Sequence, residues 1–202
     1  MWQLDWTKLA DILTYDPRQP MIFSSGLFLF LFLGFSLVYV LLQKHTTARL
    51  LFVSAFSYYF YYKSSGIYFF LLGIVTVSDF LLAARMDRTE TLWKRKLLVV
   101  ISLCINLGLL CYFKYTNFFY EMLCPLWNGH YEAFDIFLPV GISFFTFQSL
   151  SYTLDVYRRD LKPLDNLLDY IFYVSFFPQL VAGPIVRARD FIPQIRQLLF
   201  VS

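Results

Sequence analysis

The sequence predicts an all-α integral membrane protein: a polytopic helical bundle with about five spanning helices plus a re-entrant segment. Three observations predict it. The 202 residues are 58% hydrophobic and 21% aromatic but only 15% charged, where a soluble domain is roughly half apolar and a quarter charged. Apolar runs recur close to the length of about 20 residues that a bilayer crossing requires. Lys and Arg collect in alternate loops between those runs, as the positive-inside rule expects.

Residues 1–20 are set apart as an interfacial segment. Trp2, Trp6, Leu9 and Leu13 recur at helical spacing, Asp5, Asp11 and Asp16 argue against a cleavable signal, and Pro17 and Pro20 end the segment. Residues 21–202 then form one membrane unit. Its first span is Ile22 to Leu42, uncharged throughout. A second, Leu50 to Tyr62, is short and rich in Phe and Tyr, which suit a membrane–water boundary. After Lys63 and Gly66 a third runs from Ile67 to Ala84, with Asp79 near its end, where an interfacial acid close to Arg85 is expected. Leu97 to Phe113 makes a fourth. Residues 114–135 read as a mixed connection, with Tyr115 to Leu126 along the interface.

The fifth span, Leu138 to Arg159, departs from the others. It is long enough to cross, yet it carries Ser143, Thr146, Gln148, Ser149, Ser151, Thr153 and Asp155. On a helix, Gln148, Tyr152, Asp155 and Arg159 fall at i, i+4, i+7 and i+11, on one face. A polar stripe faces hydrocarbon only at high cost, so it must face other helices or a wet cavity. Two readings are open: glue between helices, with Asp155 paired to Arg158 or Arg159, or the wall of a path through the membrane.

Loops 43–49, 85–96 and 158–166 hold two, five and three basic residues, and loops 63–66 and 114–133 hold one each. This places the N-terminus outside and the richer loops in the cytoplasm. A sixth apolar stretch, Leu167 to Ala182, conflicts with that pattern, because a full crossing would put Arg187, Arg189 and Arg196 outside. A re-entrant path removes the conflict. Pro178, Gly183 and Pro184 supply the break, which a membrane tolerates where the backbone faces protein or water.

Other chemistries find little footing. A net charge of +3 spread over short loops gives nucleic acid no patch. Cys104, Cys111 and Cys124 lack metal-ligand spacing, and His45 and His130 fall in loops without partners. Phosphate loops, nucleophile elbows and zinc motifs are absent from the sequence.

Two stretches go further. Leu138 to Arg158 resembles the signature helix of the membrane-bound O-acyltransferase family, and within it the branch holding the membrane subunit of alginate O-acetylation. Phe176 to Arg187 resembles the family's next motif, with Gly183, Pro184 and Arg187 matching its Gly-Pro-x-x-Arg core. The resemblance implies transfer of an acyl group, acetyl above all, from acetyl-CoA or another acyl thioester to hydroxyls of an exported polysaccharide, without a bound cofactor. It implies the inner membrane as location. The bilayer and a polysaccharide acceptor or periplasmic acyl-relay proteins would be partners. Gln148, Tyr152, Asp155, Arg159, Gly183, Pro184 and Arg187 would line the acyl path. The family's catalytic His lies on a later helix of a chain about twice as long, and neither His45 nor His130 matches it. The expectation is therefore an N-terminal portion, inactive alone. The alternative is a non-catalytic scaffold or truncated remnant in a polysaccharide-export complex.

Overall fold

The computed structural model describes residues 13–18, 20–127, 132–183 and 186–196, and among these every regular element is helical. The interfacial helix expected over residues 1–12 lies outside the described residues. Helix α1, Gly26–Leu41, starts at Ser25, whose Oγ accepts from the Phe28 N–H at 3.3 Å. It buries only Phe28 and leaves Phe30, Leu33, Leu37 and Leu41 exposed, as a lipid-facing helix should.

Helices α2, Thr46–Ser65, and α3, Phe69–Asp87, are joined by a 3-10 turn at Gly66–Tyr68 with no loop between them. Both outrun the apolar runs read from the sequence, because each helix continues through Arg49, Lys63 and Arg85 beyond its apolar centre. Gly66 makes the junction possible. Its φ of 59° suits glycine, and a Cβ there would sit 2.6 Å from the Tyr15 ring. Tyr15 also donates its N–H to the Tyr62 hydroxyl, and Lys63 Nζ donates to the Thr14 carbonyl, so the segment before α1 is pinned on the end of α2.

Helix α4, Leu92–Leu110, passes through a π-helical turn, Cys111–Tyr115, into α5, Thr116–Leu123. The mixed connection expected from residue 114 is thus helical at its start. Two unbroken helical stretches, Thr46–Asp87 and Leu92–Leu126, are long and apolar enough to cross a membrane, and α1 is a shorter apolar helix of 16 residues. After an extended approach come α6, Ile142–Arg158, then α7, Leu167–Ser175, α8, Phe177–Ala182, and α9, Ala188–Ile195.

Helices α3, α4 and α6 pack mutually and form the centre. Helix α7 lies against α2 and α3, α8 against α2 and α6, and α9 against α6 and α7. The main core runs through Leu72, Val75, Val99, Phe145, Tyr152 and Tyr173. A second cluster is aromatic: Phe177 of α8 is ringed by Phe35, Phe56 and Phe60 at centroid distances of 5.7, 5.2 and 5.8 Å.

Candidate functional site: the seam between α6, α7 and α8

The site is built from the turn that starts α6. Gly141 caps that helix with φ 74°, and a Cβ on it would lie 2.4 Å from the Leu180 carbonyl oxygen of α8. Only glycine lets α8 approach so closely. The Val140 N–H donates to Ser65 Oγ at 3.0 Å, so the same end of α6 is also tied to the α2–α3 junction.

Two helical turns on, Gln148 joins three helices. Its Nε2 donates to the Tyr173 carbonyl of α7 at 2.6 Å and to Gln179 Oε1 of α8 at 3.1 Å. Tyr173 returns a bond, its hydroxyl donating to the Gln148 carbonyl at 3.3 Å, and lies 3.2 Å from the Val186 carbonyl. The Tyr173 carbonyl is available because α7 ends at Ser175. Phe176, with φ −55° and ψ 106°, breaks the helix before Pro178 resumes it near the start of α8. The expected interruption is therefore present, and it begins earlier than Gly183 and Pro184 alone indicate.

Tyr152 is fully buried, its ring 4.5 Å from that of Tyr170, and its hydroxyl accepts the Leu164 N–H at 3.0 Å. Asp155 is half-buried, and its Oδ2 is shielded from solvent without a hydrogen-bond partner among the described residues. It makes no ion pair with Arg158 or Arg159, so the glue reading loses its charge pair. Arg159 lies past the end of α6 with φ 64° and is exposed, because the chain leaves the helix there to turn toward α7. The four-residue stripe thus extends only to Asp155.

Gly183 follows α8 in extended conformation, and a Cβ there would meet Gln179 Cα at 2.5 Å. Pro184 lies outside the described residues. Arg187 is exposed at the start of α9. From there the chain runs back along α7, and Arg196 closes the return with a bidentate pair to Asp169 at 2.8 and 3.0 Å. The structure therefore buries Gln148 and Tyr152 at the seam, sets Gly183 against Gln179, and leaves Arg159 and Arg187 on the surface.

Sequence reasoning missed a second polar cluster behind the seam. Asp79 is not an interfacial acid: it is 0% exposed, on the α3 face shared by Leu72, Val75, Ala83 and Met86. Ser102 Oγ donates to its Oδ1 at 2.6 Å and Asn106 Nδ2 to its Oδ2 at 2.8 Å. The available signal was Ser102 and Asn106 themselves, polar at i and i+4 on an otherwise apolar helix. Arg95 was counted as a loop cation, yet it is 4% exposed, donates to the Tyr157 carbonyl at 2.6 Å and lies over the Tyr157 ring. It thereby caps the C-terminal end of α6 with positive charge.

Comparison with known proteins agrees with the helix motifs. The chain is 33% identical over 93% of its length to "Peptidoglycan O-acetyltransferase" of Helicobacter pylori. It is 36% and 38% identical, over 86% of its length, to proteins named "Probable alginate O-acetylase AlgI" of Pseudomonas aeruginosa and Azotobacter vinelandii. The chain is a homologue of the membrane-bound O-acyltransferases. It spans 41%, 34% and 36% of the length of those three relatives. No family model matches it, and no solved structure does. The seam between α6, α7 and α8 carries both resembling motifs.

Proposed function

We propose that this chain forms part of a membrane O-acyltransferase that moves an acetyl group from a cytoplasmic thioester donor to hydroxyls of an exported polysaccharide. The single observation that carries this reading is its kinship with polysaccharide O-acetyltransferases. The chain crosses the membrane about five times, with its N-terminus outside, and α7 and α8 form the re-entrant segment. Helix α7 supports that path: nine residues rise only about 14 Å, half of a bilayer core. The Arg196–Asp169 pair also favours it, since it returns the basic end of α9 to the start of α7.

The seam serves as one wall of the acyl path. Gln148 ties α6 to α8 through Gln179, Gly141 lets the two helices approach closely, Tyr152 packs α6 on α7, and Asp155, about one turn from the cytoplasmic end of α6, has a carboxylate oxygen without a partner among the described residues. Such a group can accept a hydrogen bond from an incoming donor or substrate. A histidine base that activates the acceptor hydroxyl belongs to the same reaction. His45 is exposed ahead of α2, away from the seam, and has no part in it.

The test is complementation in the source organism. A strain lacking the gene should lose ester-linked acetate from its exported polysaccharide, and the full-length protein should restore it. Asp155→Asn in that protein should leave membrane abundance normal and cut acetate about tenfold. Unchanged acetate in the deletion strain would refute the proposed activity. Normal acetate with Asp155→Asn would refute only the role of Asp155.

A further inference from the structure

A groove of about 480 Å³ opens between α1, α2, α7, α8 and α9, away from the seam. That volume lies within the range of roughly 300–1,000 Å³ typical of ligand pockets. Its walls are aromatic: Phe32 and Phe35 from α1, Phe172 from α7, Phe176 and Phe177 at the α7–α8 break, and Phe191 from α9. One end differs from all the rest. Arg49, in the first turn of α2, lines the groove and is 7% exposed. Its guanidinium sits 5.8 Å above the Tyr39 ring, and among the described residues it has neither a carboxylate in ion-pair reach nor a side-chain hydrogen bond.

A buried guanidinium without an anion is costly, and its planar fork of donors suits a phosphate. The rest of the groove accepts hydrocarbon. We propose that this groove binds one anionic phospholipid, with its phosphate on Arg49 and an acyl chain laid against Phe35, Phe176 and Phe177. The direction is consistent on both flanking helices. Tyr39 and Arg49 lie beside the short α1–α2 connection, and Phe35 and Phe32 on α1, with Val53 on α2, follow in order away from it. From Tyr39 to Phe32 the helix rises about 10 Å, so the head group and the chain are separated along the membrane normal. In the proposed orientation Arg49 sits at the cytoplasmic face, where anionic lipids and basic pockets between helices meet.

The occupant also has a structural task. Helix α1 touches the remainder mainly through the Phe177 cluster, and a chain filling the groove would bridge α1 to α9.

The test is native mass spectrometry of the full-length protein in detergent, titrated with phosphatidylglycerol, with phosphatidylcholine of the same chains, and with inorganic phosphate. Phosphatidylglycerol should bind about tenfold tighter than phosphatidylcholine, whose phosphate charge is cancelled by its own choline ammonium. Arg49→Gln should erase that preference, and Arg49→Lys should keep part of it. Val53→Trp, which fills the groove, should weaken both lipids, and inorganic phosphate should not compete at lipid-saturating concentrations. Equal binding of the two lipids by the parent protein would overturn the proposal, as would a preference that survives Arg49→Gln. Displacement by inorganic phosphate would show a bare anion site and overturn it too. Should Arg49→Gln not fold, the parent's lipid preference and Val53→Trp decide the matter.

Discussion

Gly141→Ala should be among the most damaging single-methyl changes in this chain. Two independent penalties meet at that position. The backbone is left-handed, φ 74°, where any residue with a Cβ is disfavoured by about 1–2 kcal/mol. The new methyl would also stand 2.4 Å from the Leu180 carbonyl oxygen, an atom of the backbone that no rotamer change can remove. Relief requires α8 to move away from α6, which stretches the 3.1 Å bond between Gln148 and Gln179. Overpacking of this kind costs about 1–3 kcal/mol, so the total expected loss is about 2–5 kcal/mol. Equilibrium unfolding of the purified full-length protein in mixed micelles measures it. Gly73→Ala is the control, because Gly73 lies within α3 and the nearest atom to its Cβ position is 4.0 Å away. That change should be neutral or stabilising by up to about 1 kcal/mol through helix propensity. A Gly141→Ala protein within 0.5 kcal/mol of the parent, on the order of measurement error for independent sites, would refute the close approach of α8 to α6.

Further expectations follow from other parts of the bundle. Asp79→Leu removes the acceptor of Ser102 and Asn106 and should cost about 1–3 kcal/mol in the same unfolding assay; Asp79→Asn should cost less, since the Ser102 hydroxyl can reverse and accept. The opposite ranking would mean that Ser102 and Asn106 cannot rearrange to satisfy an amide there. Arg95→Met should lose about 1–2 kcal/mol by uncapping α6, and an unchanged unfolding midpoint would remove Arg95 from that role. Arg189→Cys, at an exposed position of α9, should resist a membrane-impermeant maleimide applied to intact cells and react after permeabilisation. Labelling from outside would mean that α7 and α8 complete a crossing.

Much of the candidate site was legible beforehand because membranes punish misplaced polarity. Gln148 and Tyr152 were readable as inward-facing from spacing alone, since lipid would not accept that stripe. Asp79 was misread for a reason that applies widely. Its neighbours in sequence are mostly apolar, and the facing Ser102 and Asn106, 23 and 27 residues away, make its burial tolerable. Arg95 was hidden in the same way. It sits among basic loop residues, and its partners, the carbonyls of Val156 and Tyr157, carry no side-chain signal at all.

Composition and periodicity by themselves determined that this chain is built of long apolar helices and that one helix has a polar inner face. Those properties follow from local chemistry: apolar length, the 3.6-residue repeat, and the cost of exposing backbone or charge to lipid. The motifs in that helix and around Gly183 also placed the chain in its family. Only the tertiary structure decided which polar residues meet. Asp155 stands apart from Arg158 and Arg159, though they are three and four residues away, while Gln148 reaches Tyr173 and Gln179 across 25 and 31 residues. The physical reason is that pairing depends on where α7 breaks at Phe176 and how close α8 comes to Gly141. Both are settled by packing between helices distant in sequence, which no local pattern encodes.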